Sequence, residues 1–336
     1  MSPSVTASPA PPALVAILGP TASGKSALGL RVAQRFGGEI VACDSTAVYR
    51  GFDIGTDKVA AGEQQGIPHH LVDVVDPACE YTAADYARDA MAAIAGIQAR
   101  GRLPVLVGGT GFYYRALVRG LFAGPGRDAA VRGRLDALVA RHGALRVHRL
   151  LARIDPASAA RIQVNDTMRV VRALEVYFLS GRTLTAHFAD TRAPLAGWRV
   201  IAIALRPPWA DTAERIARRV DAQFARGIVD EVRALRAAGV PDTARPFTGY
   251  VYKRVLECVT GARDEASARE LIIRENRHYA RRQLIWFRKE PNLNWIQRAG
   301  EQDDSFHEAE RLIVERLGAP ASVCPVPETP THGPVA

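Results

Sequence analysis

The segment Gly19-Pro-Thr-Ala-Ser-Gly-Lys-Ser26 constrains the fold of this 336-residue chain more than any other feature. It fits the pattern G-x-x-x-x-G-K-[ST], in which backbone N–H groups cradle phosphate oxygens. An apolar segment of strand character (14–18) precedes it, and a segment of helical character (27–36) follows it. Strand, loop and helix together predict a phosphate-binding loop backed by the positive end of a helix dipole. The loop alone leaves open which phosphates it holds.

Two side chains at the end of this loop extend the prediction. Lys25 would add a point charge, and the Ser26 hydroxyl is the candidate ligand for Mg²⁺. Kinases and ATP-hydrolysing proteins with such a loop usually end a second apolar strand in an acid. Here Val105-Leu-Val107 ends in Gly-Gly-Thr instead. This weakly favours a diphosphate leaving group, which needs no residue to position water.

The order of segments indicates an α/β fold. Predicted strands at 39–44, 71–76 and 103–107 are separated by helical segments, of which the clearest is 82–100. Such alternation is typical of a parallel sheet flanked by helices, here of the P-loop NTPase-like type, with ligands at the carboxyl ends of the strands. Residues 121–197 have almost no strand character and many arginines, and a further strand at 198–205 returns the chain to the sheet. We therefore predict an α/β core (13–120 and 198–318), an α-helical insertion (121–197) and disordered tails (1–12 and 319–336).

Composition limits the compartment and the partners. The chain has no apolar run of the length of a membrane span, and its N-terminus does not resemble a secretory signal. Its four cysteines lie far apart, which argues against a zinc site or a disulfide framework and favours the reducing cytoplasm. The net charge of +9 fits nucleic-acid binding or a generally basic surface, so the placement of the charge has to decide.

Several residues carry candidate chemistry that the local pattern leaves open. Asp44 ends a strand on the side of the phosphate loop, where it could be a general base, a Mg²⁺ ligand or a helix cap. His69 and His70 are adjacent on a predicted strand and so point to opposite faces, which favours structural or orienting roles over a metal pair.

Two long helices are predicted in the last third of the chain. One covers 211–238, and the other covers 267–287, with a capping box formed by Ser267 and Glu270. In the second helix, basic residues follow a spacing of three and four along one face, which suits an RNA backbone but also a solvated surface. They are Arg274, Arg277, His278 and Arg281.

Six blocks of sequence, taken in order, resemble one family, the bacterial tRNA dimethylallyltransferases, also called tRNA isopentenyltransferases. The resemblance covers roughly residues 14–296. The blocks are the phosphate-loop segment (19–26) and residues 44–56, 67–73, 107–113, 165–177 and 281–288. Each block alone is weak to moderate support, whereas their order and spacing are highly specific.

The resemblance implies transfer of a dimethylallyl group from dimethylallyl diphosphate to the exocyclic amine of the adenosine 3′-adjacent to the anticodon. It makes Asp44 the general base, places Thr110 near the reacting groups, and makes Lys25 and Mg²⁺ stabilisers of the departing diphosphate. The diphosphate-binding residues would be Gly19, Pro20, Thr21, Ala22, Ser23, Gly24, Lys25 and Ser26. The adenine would have to leave its stack to react.

The resemblance also implies an RNA surface drawn from several parts of the chain, and it makes the helical insertion (121–197) a tRNA-contacting one. The residues carried over are Asp44, Ser45, Thr46, Ala47, Thr110, Arg132, Met168, Arg169, Val170, Val171, Arg172, Gly249, Tyr250, Asn276, Arg277, His278, Tyr279, Ala280, Arg281, Arg282 and Gln283. The chain departs from the family at Ala47 and Met168, where many members have Gln, and at 248–252. These departures affect details of RNA contact and not the chemistry.

The expected partners are therefore the anticodon stem-loop of a tRNA and dimethylallyl diphosphate, with Mg²⁺ as cofactor, in a cytoplasmic monomer without membrane attachment. Three other hypotheses fit less of the sequence. A P-loop kinase and a nucleotide-switched RNA-binding protein each leave some of these blocks without a role. A prenyltransferase acting on free adenine nucleotides would not need a basic helix.

Overall fold

The computed structural model of the protein describes residues 11–317, and the predicted tails lie almost entirely outside these residues. The strands are β1 (Ala13–Leu18), β2 (Gly38–Cys43), β3 (His69–His70), β4 (Leu103–Gly108), β5 (Arg199–Leu205) and β6 (Leu293–Ile296). The helices are α1 (Lys25–Phe36), α2 (Ala83–Ala99), α3 (Gly111–Val118), α4 (Ala129–Ile154), α5 (Pro156–Arg161), α6 (Thr167–Ser180), α7 (Leu184–Ala189), α8 (Trp209–Ala225), α9 (Ile228–Ala237), α10 (Tyr250–Val259), α11 (Glu265–Phe287) and α12 (Asp303–Leu317).

The strands form one parallel sheet in the order β3-β2-β4-β1-β5-β6, which confirms the predicted α/β class. The central strand β1 pairs with β4 on one side and with β5 on the other. All but the first residue of β1 are buried, as expected for a strand covered by helices on both faces. The chain runs from the end of β1 directly into the phosphate loop. Because β1 is a central strand, this loop lies at the carboxyl end of the strands, near the middle of the sheet.

The chain divides into two compact units. Of the described residues, one unit comprises 11–113 and 197–317 and contains the sheet, and the other comprises residues 114–196. The second unit has its own apolar core, in which Leu135, Val147 and Leu151 of α4 pack with Val171 and Leu174 of α6. Its described elements are all helical. Within residues 11–317, no helix is both long and apolar enough to cross a bilayer.

Some predicted elements have different bounds or are wrong. Residues 71–76 do not form a strand: β3 stops at His70, and Leu71 and Asp73 adopt positive φ angles of 62° and 56°, which end an extended backbone. The predicted helix 211–238 is two helices, α8 and α9, because Gly227 between them lies in the left-handed region.

The start of α11 also differs from the prediction. Asp264 and not Ser267 caps it, since the Asp264 carboxylate accepts from the Ser267 N–H at 2.8 Å. The edge strand β6 was not predicted. By contrast, the bounds of α2 agree with the predicted helix 82–100, and a reciprocal capping box of Thr82 and Asp85 at its start was not predicted.

Candidate functional site

The phosphate loop (residues 19–26) needs its glycines for conformation and space. Gly19 and Gly24 have φ angles of +150° and +84°, and the intervening Ala22 lies at +60°. A side chain on Gly24 would also come within 2.6 Å of the backbone nitrogen of Gly300. The Ser23 carbonyl in turn accepts from the Gly300 N–H at 2.9 Å. The conformation of the loop is therefore fixed both by its glycines and by the backbone contact with Gly300.

A single buried amide ties the phosphate loop to two other parts of the site. The Thr21 N–H donates to Oε1 of Gln283 at 2.9 Å, and Nε2 of Gln283 donates to the Gly109 carbonyl at 2.9 Å. Gln283 lies on α11 and is only 7% exposed. Both ends of its amide are thus used within the protein, so it links α11, the phosphate loop and the turn after β4.

Two arginines of α8 hold the other side of the phosphate loop, and the sequence patterns did not identify them. Arg219 donates to Oγ1 of Thr21 at 3.0 Å and pairs with Asp57, while Arg215 donates to the Ala22 carbonyl at 2.7 Å and pairs with Glu301. Their signal in the sequence was a spacing of four on a helix. Both bring positive charge to the loop.

Lys25 lies folded back over the loop. Its Nζ donates to the Pro20 carbonyl at 3.0 Å. Burial and then the Arg219 guanidinium lower the pKa of Lys25 to about 8, against a smaller opposing effect of Asp44. An anion bound next to Lys25 would stabilise the charged ammonium and raise this pKa again.

Asp44 follows β2 directly and is half-buried. Its Oδ1 accepts from the Thr46 N–H at 2.8 Å and from the Thr46 hydroxyl at 3.0 Å, so one oxygen is fixed in a turn. Within residues 11–317, Oδ2 has no hydrogen-bond partner. The carboxylate is also close enough to Tyr279 to help raise the pKa of that phenol, although burial is the larger cause.

Thr110 lies beside Asp44 because the chain crosses from β4 next to the end of β2. The Thr110 N–H donates to the Cys43 carbonyl at 3.1 Å, and Oγ1 of Thr110 accepts from the Ser45 N–H at 3.0 Å. A side chain on Gly108 would collide with the Cys43 carbonyl, so this close crossing requires glycine. The structure thus brings together the phosphate loop, Asp44 and Thr110, as the sequence predicted.

The predicted RNA residues of α10 and α11 divide into exposed and buried groups. The rings of Tyr250 and Tyr279 lie 5.7 Å apart, and the Arg282 guanidinium lies over both and donates to the Tyr250 hydroxyl at 2.5 Å. Arg281 lies 4.4 Å from the centre of the Trp209 ring. Asn276 and Ala280 are buried, whereas Arg277 and His278 are exposed. Gly249 is the N-cap of α10.

A groove of about 510 Å³ runs along the exposed side of α11. It is lined by Ala217, Glu270, Ile273, Arg274, Arg277, His278 and Arg281. The predicted basic face of α11 therefore borders a groove whose lining also includes the apolar side chains of Ala217 and Ile273.

In the unit of residues 114–196, two predicted RNA residues prove to be ion-paired. Glu175 is fully buried and accepts from Nη2 of Arg132 and from Nη1 of Arg172, each at 2.8 Å. Arg172 also donates to the Pro125 and Gly126 carbonyls. Burial alone would raise the pKa of Glu175, but these hydrogen bonds outweigh it and hold the pKa at about 2.

The remaining predicted residues of that unit differ in exposure. Met168 is 78% exposed and Arg169 pairs with Asp166 at 3.0 Å, whereas Val170 and Val171 are buried. In the sheet-containing unit, Ala47 is buried and His70 pairs with Glu39 at 2.7 Å.

His69 and His70 both have hydrogen-bond partners within the protein. Among residues 11–317 there is no group of three His, Cys, Asp or Glu side chains that could hold a metal ion. His69 instead contacts the Ile67 carbonyl at 2.9 Å, which fits the structural role predicted for these residues.

The chain is similar in sequence to known proteins over most of its length. A family model described as IPP transferase matches residues 47–290. A tRNA dimethylallyltransferase of Solibacter usitatus is 47% identical over 91% of this chain and 99% of its own length. One of Geobacter metallireducens is 43% identical over 86% of this chain and 94% of its own.

Solved structures agree with these sequence matches. The full-length tRNA isopentenylpyrophosphate transferase of Bacillus halodurans superposes with a TM-score of 0.68 and is 36% identical, covering 91% of this chain and 96% of its own. A eukaryotic dimethylallyltransferase acting on tRNA shares the fold at a TM-score of 0.72 and 24% identity, over 90% of this chain and 78% of its own.

Proposed function

Because the chain belongs to the tRNA dimethylallyltransferase family, a family of prenyltransferases, we propose that it transfers a dimethylallyl group from dimethylallyl diphosphate to the adenosine 3′-adjacent to the anticodon of tRNA. The acceptor atom is the exocyclic amine of the adenine, and diphosphate is released. One observation carries the proposal: Gln283 joins the phosphate loop to the turn that bears Thr110, beside Asp44. A leaving-group site and a base thus share one edge of the sheet.

The phosphate loop and its cations bind the diphosphate. Backbone N–H groups of the loop and the start of α1 supply fixed donors, and Lys25, Arg215 and Arg219 supply positive charge. Because the bond from the allylic carbon to oxygen breaks as the new bond to nitrogen forms, negative charge grows on the diphosphate. Donors that are already in place stabilise that charge without further reorganisation.

Asp44 is the general base of this proposal. The adenine amine is a weak nucleophile because its lone pair is delocalised into the ring, so its proton must leave as the carbon–nitrogen bond forms. The turn with Thr46 fixes Oδ1, which leaves Oδ2 to accept this proton. Thr110 positions the turn after β2 through the Ser45 N–H.

The residues of the phosphate loop fit a Mg²⁺ ion. Ser26 is exposed at the first turn of α1, next to Lys25. Mg²⁺ usually takes one or two protein oxygens and completes its shell with water and substrate phosphates, so it does not need the cluster of acids that this chain lacks within residues 11–317. Bound there through the Ser26 hydroxyl, it would neutralise charge on the diphosphate.

The RNA would be held by basic and aromatic side chains of both units. In one, Tyr250, Tyr279 and Arg282 form a cluster of aromatic and basic side chains near Arg281, a combination that suits unstacked bases and phosphates. In the other, the predicted contacts are Arg132 and residues 168–172. We propose a cytoplasmic enzyme that works as a monomer on the anticodon stem-loop.

The relatives support tRNA modification by an enzyme and none of the three alternatives, which are a P-loop kinase, a nucleotide-switched RNA-binding protein and a prenyltransferase of free adenine nucleotides. The test incubates the protein with Mg²⁺, ATP, labelled dimethylallyl diphosphate and unmodified tRNA, AMP or no acceptor. We expect label in tRNA alone. Label in AMP, or consumption of ATP without labelled product, would overturn the proposal.

A further inference from the structure

The positive charge of this protein is concentrated in one unit. The unit of residues 114–196 contains fourteen arginines, no lysine and six acidic residues. It therefore carries eight of the nine formal positive charges of the chain, although it has only about a quarter of its residues. A basic composition spread evenly over the protein would not give this distribution.

Most acids of this unit are already engaged. Glu175 holds Arg132 and Arg172, Asp166 pairs with Arg169, and Asp190 pairs with Arg182. The Asp128 and Asp155 carboxylates instead cap helices by accepting backbone N–H groups. Asp136, on the first half of α4, is the one acid of the unit outside these pairs and caps.

Three arginines lie together on the second half of α4, beyond its break at Gly143, which has a φ of 77°. These residues, Arg146, Arg149 and Arg153, form what we call the arginine face. Their spacing of three and four places them within an arc of about 60° at 3.6 residues per turn. All three are exposed, and among residues 11–317 none has an ion-pair partner.

The chemistry of the arginine face points to a polyanion. Its three like charges repel one another, and residues 137–154 contain no acid to offset them. Guanidinium groups donate in a planar fork that matches phosphate oxygens. A helix that binds a membrane surface would show an apolar stripe beside its cations. On the second half of α4, Val147 and Leu151 instead pack into the core of the unit, and the single exposed leucine there, Leu145, does not form a stripe.

We propose that the arginine face binds the phosphate backbone of RNA, as a contact separate from Arg132, from residues 168–172 and from α11. The inference rests on the proposed function, because tRNA is the RNA such an enzyme meets. The arginine face would add affinity that does not depend on the RNA sequence. The tRNA would then be held through its backbone while the adenine reacts.

The test compares the wild type with the triple variant R146Q/R149Q/R153Q in the full chain. Gln is a good helix former, so α4 should persist, which circular dichroism checks. Binding of unmodified tRNA is measured by fluorescence anisotropy from 50 to 300 mM salt, without dimethylallyl diphosphate. Each lost phosphate contact lowers the slope of log K against log salt by about 0.7–0.9, so we expect a slope smaller by about 2–3 and at least tenfold weaker binding at low salt.

A matched control removes the same charge elsewhere. R88Q/R182Q/R233Q replaces three exposed arginines that are already paired with Asp85, Asp190 and Asp230. It should keep the wild-type slope, and R146K/R149K/R153K should keep most of it. A wild-type salt slope in the R146Q/R149Q/R153Q variant would overturn the inference. An equal decrease of the slope in the control variant would also overturn it, as would a variant that loses binding to anionic vesicles but keeps its affinity for tRNA.

Failure of the proposed function gives a different result. It would show as wild-type protein that labels no tRNA, whereas the binding experiment does not require transfer.

Discussion

The side-chain amide of Gln283 accepts from the backbone N–H of Thr21 across 262 positions of the sequence. With its other end on the Gly109 carbonyl, it sets the spacing between the phosphate loop and the turn that carries Thr110. The resemblance predicted Gln283 as an RNA contact, and the structure instead gives both of its amide ends partners within the protein. We expect its main effect on the chemical step.

Gln283→Leu should therefore lower kcat and leave the KM for tRNA within about twofold. A misplacement of about 1 Å between reacting groups can cost about 100-fold, so we expect a loss of about 10–100-fold. Steady-state kinetics with thermal unfolding as a check on folding would measure this. A raised KM for tRNA with unchanged kcat would instead show that Gln283 contacts RNA directly.

Asp44→Asn should reduce transfer by about 10²–10⁴-fold, the usual contribution of a general base. The Asn carbonyl can still accept from the Thr46 N–H, so the turn after β2 and the affinity for tRNA should be retained. Single-turnover transfer and tRNA binding are measured on the same preparation. Thr46→Val, which removes only the hydroxyl contact, serves as the control and should retain most activity. Wild-type transfer by the Asn variant would remove Asp44 from the mechanism.

The affinity for dimethylallyl diphosphate should depend on pH through Lys25. Its pKa is lowered to about 8, so the free enzyme loses the ammonium charge as the pH rises through about 8. The KM for dimethylallyl diphosphate should then increase, by up to tenfold per pH unit. Lys25→Arg keeps its charge throughout this range and should flatten the profile. A profile that is the same in both proteins would contradict the assignment.

Glu175→Gln should destabilise the unit of residues 114–196 and weaken tRNA binding, because it leaves two arginines beside a neutral group. Removing one partner of a buried ion pair costs about 3–5 kcal/mol. The folded-state pKa of Glu175, about 2, lies below its usual value. Its contribution is therefore present above pH 4.5 and is lost as the pH falls toward 2.

Thermal unfolding of the wild type and the Glu175→Gln variant across this range should show the difference in melting temperature shrink in acid. The exposed pair of Arg182 and Asp190 provides a comparison, since Asp190→Asn should change stability by less than about 1 kcal/mol.

Sequence patterns predicted those features of the protein that depend on neighbouring residues in the chain. The phosphate loop, α1, the extent of α2 and the strand ends that carry Asp44 and Thr110 follow from short stretches of sequence. The arginines of α8 and the role of Gln283 depend on partners far away in the chain, and no periodicity records such pairs. The strand predicted at 71–76 failed for a related reason, since alternation of apolar residues cannot show that Leu71 and Asp73 adopt positive φ.

The position of β1 has a consequence for how the protein is made. Among the six strands of the sheet β1 is synthesised first, yet its neighbour β5 begins at Arg199, after the whole of the unit of residues 114–196. At about 5–20 residues per second, roughly 10–40 s of synthesis separate the two strands. During this interval one side of β1 has no strand beside it, and the nascent chain exposes a sheet edge that chaperones can recognise until β5 arrives.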